Sequence, residues 1–536
     1  MILALAFAIL LPSTSAWASD QTEPVKVWVR FKDKGPSTAR IFHASRAFED
    51  LAVYAPYIAA LQARGFSTDT RLKWQNQVSG RINAGLLSDL AQLPFVAEVS
   101  RMPRKARPEP GLSRLPLPWG PHGLGKISAL GLDYGAGRAL MESLHVDKVH
   151  AWITGSGMQP GRSLRIAVID ADFYLGSQIF QPLFAQNRIK DQWDFVSNQP
   201  LAVKKELIPG SHGAECLSLI GGNLPGTLVG VAPEAEFLLY RAEENDHEGF
   251  VEEDYVAAAI ERAVDSGAQV ISISLGYRYE YDDGNADLPY AAMDGKTRPS
   301  SIAATGAARR NVIVSVAMGN LPSTDHIPAT PSLTAPADAD SILSVGIGDR
   351  FRRRCSYSCT GPAADGRLKP EVSSMGLIGN CAIAVANTDQ DSGMVEQFQG
   401  TSFAAPVVAG IAALLRQTHP ELNAEAIRQA LIKTADRASH PDSGLGNGIV
   451  DAWAAFLHIH GDTAEHASPI GWVRLYHRGG LNPLFLPRNS LDPLPNLQLL
   501  DINGRRIPVS TRIFGPTVLV QPRHDLRTGV YLVHIR

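Results

Sequence analysis

A chain of 536 residues, 45% of them hydrophobic, can bury several cores, and at roughly 150 residues per domain it suggests about three domains. Charged residues make up 19% and the formal net charge is −3, so nothing in the balance points to nucleic acid or an anionic membrane as partner. Four cysteines (Cys216, Cys355, Cys359 and Cys381) allow three complete pairings, and sequence does not choose among them.

In chain order, residues 1–18 stand apart. Residues 2–11 are apolar, and Ala16-Trp17-Ala18 supplies small residues flanking a cut, the pattern of a secretory signal peptide that lacks its usual Lys or Arg. The apolar run is about half of what a membrane span needs, and no later stretch qualifies, so the mature chain is expected to be soluble after export. Val25, Val27, Val29 and Phe31 alternate as in a half-buried strand. Tyr57, Ile58 and Leu61 have helical spacing, as do Leu86, Leu87, Leu90 and Leu93, while Phe95, Val96 and Val99 read as a closing strand. Together they predict a small α+β unit over residues 24–100. Residues 101–125 carry Pro103, Pro108, Pro110, Pro116, Pro118 and Pro121 with the basic Arg101, Arg104, Lys105 and Arg107, the composition of an exposed, protease-sensitive linker.

From residue 126 to 460 short β-branched runs alternate with helical patterns. Residues 165–169, 237–240, 270–273, 312–316 and 342–345 read as buried parallel strands, with helices such as 256–264 and 302–308 between them. This alternation predicts a doubly wound α/β sheet, mostly parallel, whose sites form beyond the carboxyl ends of the strands. Residues 470–536 switch to alternating strands with an Asn503-Gly504 hairpin turn.

One stretch organises the chemistry. Residues 403–415 are all apolar, Gly or Pro, so a helix here is buried all round. Ser402 sits where that helix begins, and its residue type fits two roles. It can cap the helix, or serve as a nucleophile beside a helix terminus that favours negative charge. A nucleophilic serine needs a base and an orienting acid. Asp170 ends the strand 165–169, His212 opens a helix closed by Gly221-Gly222, and Asn320 follows the strand 312–316. Each alone reads as a cap, a structural histidine or a turn residue. Together they make a constellation.

These residues carry a resemblance. The chain resembles the subtilisin-like serine proteases, or subtilases, over about residues 130–460. Arg165-Ile-Ala-Val-Ile-Asp170 is similar to the family's aspartate motif, Ser211-His212-Gly213 to its histidine motif, and Gly400-Thr-Ser-Phe-Ala-Ala-Pro406 to its nucleophile motif. Gly230-Val-Ala-Pro233, Ser274-Leu-Gly276, Gly319-Asn320, Lys369-Pro-Glu-Val372 and Gly446-Asn-Gly-Ile-Val450 also match. The order Asp, His, Ser is the family's own. The resemblance implies a serine endopeptidase working through an acyl-enzyme, with Ser402 as nucleophile, His212 as general base and acid, and Asp170 orienting the imidazole. It further implies Asn320 as oxyanion donor, and Ser274, Leu275 and Gly276 as the strand edge that pairs with an extended peptide substrate. No cofactor is expected for catalysis. The family often binds structural calcium, and no ligand set or other metal site is legible.

Departures from the pattern accompany the match. Asp172 stands where the family has Gly, placing a second carboxylate near Asp170. Asp170 is expected to keep the role while Asp172 points away, and a paired-carboxylate glycosidase finds no other support. Met318 and Leu321-Pro322 alter the neighbourhood of the specificity pocket. Cys216, one helical turn after His212, resembles the free cysteine of thiol-containing, proteinase K-like subtilases. The other three cysteines leave room for one disulfide.

Residues 24–100 resemble a subtilase propeptide, which makes the protein a zymogen with its own propeptide as partner. The long N-terminal region and Tyr290-Ala-Ala-Met-Asp-Gly-Lys-Thr297 resemble subtilases of Bacteroidetes-type bacteria. The ending, residues 470–536, resembles the sorting domain of the type IX secretion system, a small β-sandwich. That implies export through the periplasm to the surface or beyond, with the secretion machinery as partner. The alternative is a catalytically inactive subtilase acting as a binding or surface module.

Overall fold

The computed structural model describes residues 24–36, 46–102 and 132–460, apart from short stretches at 201, 209, 245–249, 280–286, 322–330, 378–380 and 388–394, and the backbone of strands between 472 and 535. The expected signal peptide, nearly all of the Pro-rich linker and the Asn503-Gly504 turn lie outside the described residues.

The N-terminal unit is built from β1 (Pro24–Phe31), α1 (Ala55–Gln62), β2 (Ser67–Leu72), β3 (Gln77–Asn83), α2 (Leu87–Ala91) and β4 (Val96–Arg101). Its antiparallel sheet has the order β2-β3-β1-β4. The alternation along β1 buries Val25, Val27, Val29 and Phe31 against Ile58 and Leu61 of α1 and Leu90 of α2. Sequence reading missed β2 and β3. Thr-Asp-Thr-Arg and Ser-Gly-Arg hold too few apolar residues to show a period, yet Leu72 and Val78 are fully buried.

The second unit is a seven-stranded, wholly parallel sheet. Its strands in chain order are β5 (Arg165–Asp170), β6 (Ile189–Asp194), β7 (Glu236–Arg241), β8 (Val270–Ile273), β9 (Ile313–Ala317), β10 (Leu343–Gly348) and β11 (Val372–Met375), and across the sheet they run β11-β10-β9-β8-β5-β7-β6. Central strands are covered on both faces, as parallel sheets require. Along β5, Ile166 and Val168 enter one core while Ala167 and Ile169 enter the other. β6 went unread because Ile-Lys-Asp-Gln-Trp-Asp lies at the sheet edge and is half polar. β11 went unread because its first residue, Val372, closes the motif 369–372 and the remaining Ser-Ser-Met is too short and polar to show a run.

One face carries α3 (His212–Gly221) and α6 (Thr401–Thr418), with α7 (Ala424–Thr434) and α8 (Ala452–His460) beyond. Every residue of α6 from Thr401 to Arg416 is buried, which is why its sequence shows no polar stripe. The other face carries α4 (Val251–Asp265) and α5 (Pro299–Arg309). Acidic Glu252, Glu253 and Asp254 fill the first turn of α4 and Arg262 the last, in line with the helix dipole.

The N-terminal unit docks on this second face. Leu72 joins the core of α4 and α5, with Trp28 and Trp74 packed against it. Trp28 Nε1 donates to Asp254 Oδ1 at 2.6 Å. The backbone N–H groups of Lys73 and Trp74, in the turn between β2 and β3, donate to the Glu261 carboxylate at 2.9 and 3.0 Å. Gly306 of α5 lies under the Trp74 ring, where an added Cβ would come within 2.9 Å of it.

Toward the chain's end, strand Trp472–Gly480 pairs antiparallel with Leu526–Ile535, which also pairs with Leu497–Leu500; Thr517–Pro522 pairs with Leu484–Pro487 and with Val509–Phe514. Among the described residues no helix is long and apolar enough to cross a membrane.

Candidate active site

Three adjacent strands end at the site. Asp170 is the last residue of β5, Ser274 follows β8, and Asn320 comes shortly after β9. Helices α3 and α6 start at the same edge, bringing His212 and Ser402 to the carboxyl ends of the strands, where open α/β sheets place their chemistry.

Asp170 is fully buried, and its Oδ1 lies 2.5 Å from His212 Nδ1. That oxygen also accepts from the Ala171 N–H at 2.8 Å, while Oδ2 is buried with no hydrogen-bond partner. Burial, the largest influence, opposes charging of the ring, but the Asp170 carboxylate together with Cys216 outweighs it and holds the His212 pKa well above the ordinary histidine value. Asp172 faces elsewhere, its Oδ1 accepting from the Ser211 hydroxyl at 2.8 Å. Gly213 has to be glycine, since a Cβ there would meet the Asp172 carbonyl oxygen at 2.1 Å.

Ser402 is the second residue of α6, not its cap. The cap position belongs to Gly400, whose φ of +148° disfavours any residue with a side chain. Ser402 Oγ donates to the Ser274 carbonyl at 3.2 Å. Pro406 explains the rest of the arrangement. Having no N–H, it leaves the Ser402 carbonyl without its helical partner. That oxygen accepts instead from Ser274 Oγ at 2.7 Å and from Cys216 Sγ at 3.4 Å. Cys216 Sγ is also 4.0 Å from His212 Nδ1, and the Phe403 ring packs against the imidazole with centroids 5.6 Å apart. Cys216 thus links the serine's backbone to the histidine. It is a free, fully buried thiol whose pKa burial pushes up to about 12, so it stays S–H.

Asn320 Oδ1 accepts from the Thr401 N–H at 2.9 Å and the Thr401 hydroxyl at 3.1 Å. With its oxygen tied to the residue before the serine, the carboxamide has its N–H groups left to offer. Ser274 and Leu275 are buried, and Gly276 is exposed at the edge of the segment. Two further carboxyls stand near the ring. Burial raises Glu215 to about 8 and Glu243 to about 7, the latter accepting from the Tyr277 hydroxyl at 3.3 Å.

Among the described residues, one group could hold a metal ion, formed by Asp170, His212 and Cys216 with ligand atoms within 4.8 Å of one another. Its donors suit a metal poorly, because Nδ1 is committed to the carboxylate and the thiol keeps its proton. The cysteines resolve into one disulfide, Cys355–Cys381, with Cys216 and Cys359 free. Sequence reasoning missed Thr401 and Tyr357, both of which touch the residues around Ser402. Thr401 stands inside the nucleophile motif, whereas nothing local marks Tyr357.

Comparison with known proteins defines the class, a serine endopeptidase carrying a propeptide domain. The chain belongs to the subtilase family, whose profile matches residues 161–448. The Peptidase S8 propeptide domain of Bacteroidota matches residues 42–111. The chain is similar to a thermostable alkaline protease of Halalkalibacterium halodurans, at 26% identity over 55% of this chain and 68% of that one. It is also similar to a thermophilic serine proteinase of a Bacillus species, at 29% identity over 57% of this chain and 64% of the relative. In structure it resembles fervidolysin from Fervidobacterium pennivorans, with TM-score 0.55 and 19% identity over 95% of this chain and 69% of that one, a likeness of fold.

Proposed function

We propose that this protein hydrolyses peptide bonds with Ser402 as nucleophile, His212 as base and Asp170 as orienting acid, and that residues 24–100 hold it as a zymogen. The observation that carries the reading is the buried Asp170–His212 pair at 2.5 Å, set at the strand ends where Ser402 begins a buried helix. Asp170 fixes the tautomer that leaves the far ring nitrogen free to take the hydroxyl proton, and it stabilises the imidazolium that forms. The Ser402 hydroxyl turns from the Ser274 carbonyl to the ring as substrate enters, since such contacts tighten only in the substrate complex. The tetrahedral oxyanion then takes hydrogen bonds from the Asn320 amide and the Ser402 N–H. The segment 274–276 offers its backbone to an extended peptide, which gives affinity with little side-chain preference. His212 returns the proton to the leaving amine, and water repeats the sequence on the acyl-enzyme.

Labelling by a fluorophosphonate probe tests this. Labelling of the processed protein that vanishes in Ser402→Ala is the expected result. An unlabelled processed protein, or label that survives the substitution, would refute it and favour an inactive binding module.

Export belongs to the same reading, supported by the apolar residues 2–11 and the resemblance of residues 470–536 to a sorting domain. Deleting 470–536 in a bacterium with a type IX system is expected to trap active enzyme in the periplasm. Unchanged delivery to the surface would remove the sorting role.

A further inference from the structure

The short segment from Cys355 to Cys359 touches both halves of the oxyanion site. On one side its backbone runs against residues 319–321. The Leu321 N–H donates to the Tyr357 carbonyl at 2.8 Å, the Cys359 N–H to the Gly319 carbonyl at 3.0 Å, and Asn320 pairs with Ser358 as an antiparallel bridge. The backbone of the amide donor is therefore clamped by this segment. On the other side the Tyr357 side chain reaches the start of α6, where its hydroxyl accepts from the Gly400 N–H at 3.3 Å.

The same hydroxyl donates to the Cys381 carbonyl at 3.1 Å, and Cys381 is disulfide-bonded to Cys355. One covalent crosslink thus joins the segment that carries the phenol to the residue whose carbonyl accepts its hydrogen bond. Gly400 needs such a tether. Its φ of +148° lies where only glycine is at ease, and glycine left untethered can adopt many other conformations. The peptide that follows is held by Asn320 Oδ1 through the Thr401 N–H. Tyr357 and Asn320 therefore fix two successive peptide groups ahead of Ser402, and Tyr357 is also the residue against which Asn320's neighbour is registered.

We propose that Tyr357 is a positioning residue for the oxyanion site, setting the separation between the Asn320 amide and the Ser402 N–H, and that the Cys355–Cys381 crosslink is its anchor. This rests on the roles given above to Ser402 and Asn320. Donors held in place before reaction act on the charge that develops in the tetrahedral state, and a bound peptide with a neutral carbonyl gains much less from them. Loss of the phenol therefore falls on turnover and leaves substrate binding nearly intact.

The experiment compares wild type, Tyr357→Phe and the double variant Cys355→Ala/Cys381→Ala, each as full-length protein allowed to process itself. Steady-state hydrolysis of a chromogenic peptide is read beside the affinity for a peptide boronic acid, whose tetrahedral adduct occupies the oxyanion site. Tyr357→Phe keeps the ring and removes two hydrogen bonds, so kcat is expected to fall about tenfold with KM within about twofold. Boronate affinity should weaken by the same factor as kcat. The crosslink variant is expected to move both in the same direction by less, and it carries the test if Tyr357→Phe does not accumulate. Wild-type kcat and boronate affinity in the variants, or a loss confined to KM, would overturn the proposal. A wild-type protein without Ser402-dependent hydrolysis would instead overturn the functional reading on which it stands.

Discussion

Acid pH should hold the N-terminal unit on the catalytic unit, and rising pH should loosen it. The reason lies in two carboxyls beneath the interface. Asp254 is fully buried under Trp28, and burial raises its pKa from the ordinary 3.8 to about 7. Glu261 is capped by the N–H groups of Lys73 and Trp74, which favour its charged form; burial still wins and raises it from 4.5 to about 7. Lys26 faces Asp254 and Lys73 faces Glu261, and neither cation offsets the burial. Once the unit leaves, both groups on α4 meet water and their pKa values return toward ordinary. The docked state thus binds protons that the separated state does not, between the ordinary values and about 7. By linkage, docking is strongest below that window and is lost as pH rises through it. A tenfold difference in proton affinity between the docked and separated states is worth ~1.4 kcal/mol, so a tenfold difference expressed at each carboxyl weakens inhibition about a hundredfold. The assay is inhibition of the processed enzyme by its own residues 24–100 between pH 5 and 9. Fluorescence of Trp28 and Trp74 in the intact Ser402→Ala chain serves as a check that needs no separate fragment. Asp254→Asn with Glu261→Gln should flatten the profile. An inhibition constant that is constant or falls with rising pH, or a double variant that keeps the full slope, would refute the reasoning.

Asn320→Ala should lower kcat by ~10²–10³, the usual effect of losing one oxyanion donor in subtilisin-type enzymes, with KM little changed in peptide hydrolysis. Glu215 is buried with one carboxyl oxygen unpartnered, and its pKa is raised from 4.5 to about 8. Its ionisation therefore costs stability as pH rises through that window. Glu215→Gln in the Ser402→Ala background should melt higher than its parent at pH 9 and equally at pH 4, an order-of-magnitude gain of a few kcal/mol; equal melting at both would remove the argument. A bulky mercurial should inactivate the enzyme through Cys216 and spare Cys216→Ser. Full activity with Cys216 demonstrably modified would show that the thiol does not support the site.

What was legible in the sequence follows from physics of short range. Strands β5, β7, β8, β9 and β10 sit inside the sheet, covered on both faces, so each is a run of apolar residues that stands out without any partner. β6 at the edge, and β2 and β3 in the N-terminal unit, are half polar and are strands because of their neighbours, which no local window shows. The site divides in the same way. Asp170, His212, Asn320 and Ser402 sit in motifs dense enough to read. Tyr357 holds Gly400, forty-three positions away, through a single hydrogen bond, and such a bond has no local signature. The pairing of Cys355 with Cys381 rather than with Cys359 is equally a property of the folded loop.

Pro406 shows how the two kinds of information meet. In sequence it reads as an irregularity inside a helix, where a proline ordinarily costs ~3 kcal/mol or more. In the structure the hydrogen bond it removes is the one that would have occupied the Ser402 carbonyl. The freed oxygen draws in Ser274 Oγ from the end of β8 and Cys216 Sγ from α3. A defect in one helix thereby ties the serine's backbone to the end of β8 and to the helix that carries the histidine. Replacing Pro406 with Ala would restore the helical bond, and the oxygen would then be shared between it and the two side chains. The helix would gain stability while the serine lost part of its registration to His212, so thermal stability and turnover should move in opposite directions. A variant in which both rise together would show that the proline serves the helix's packing alone.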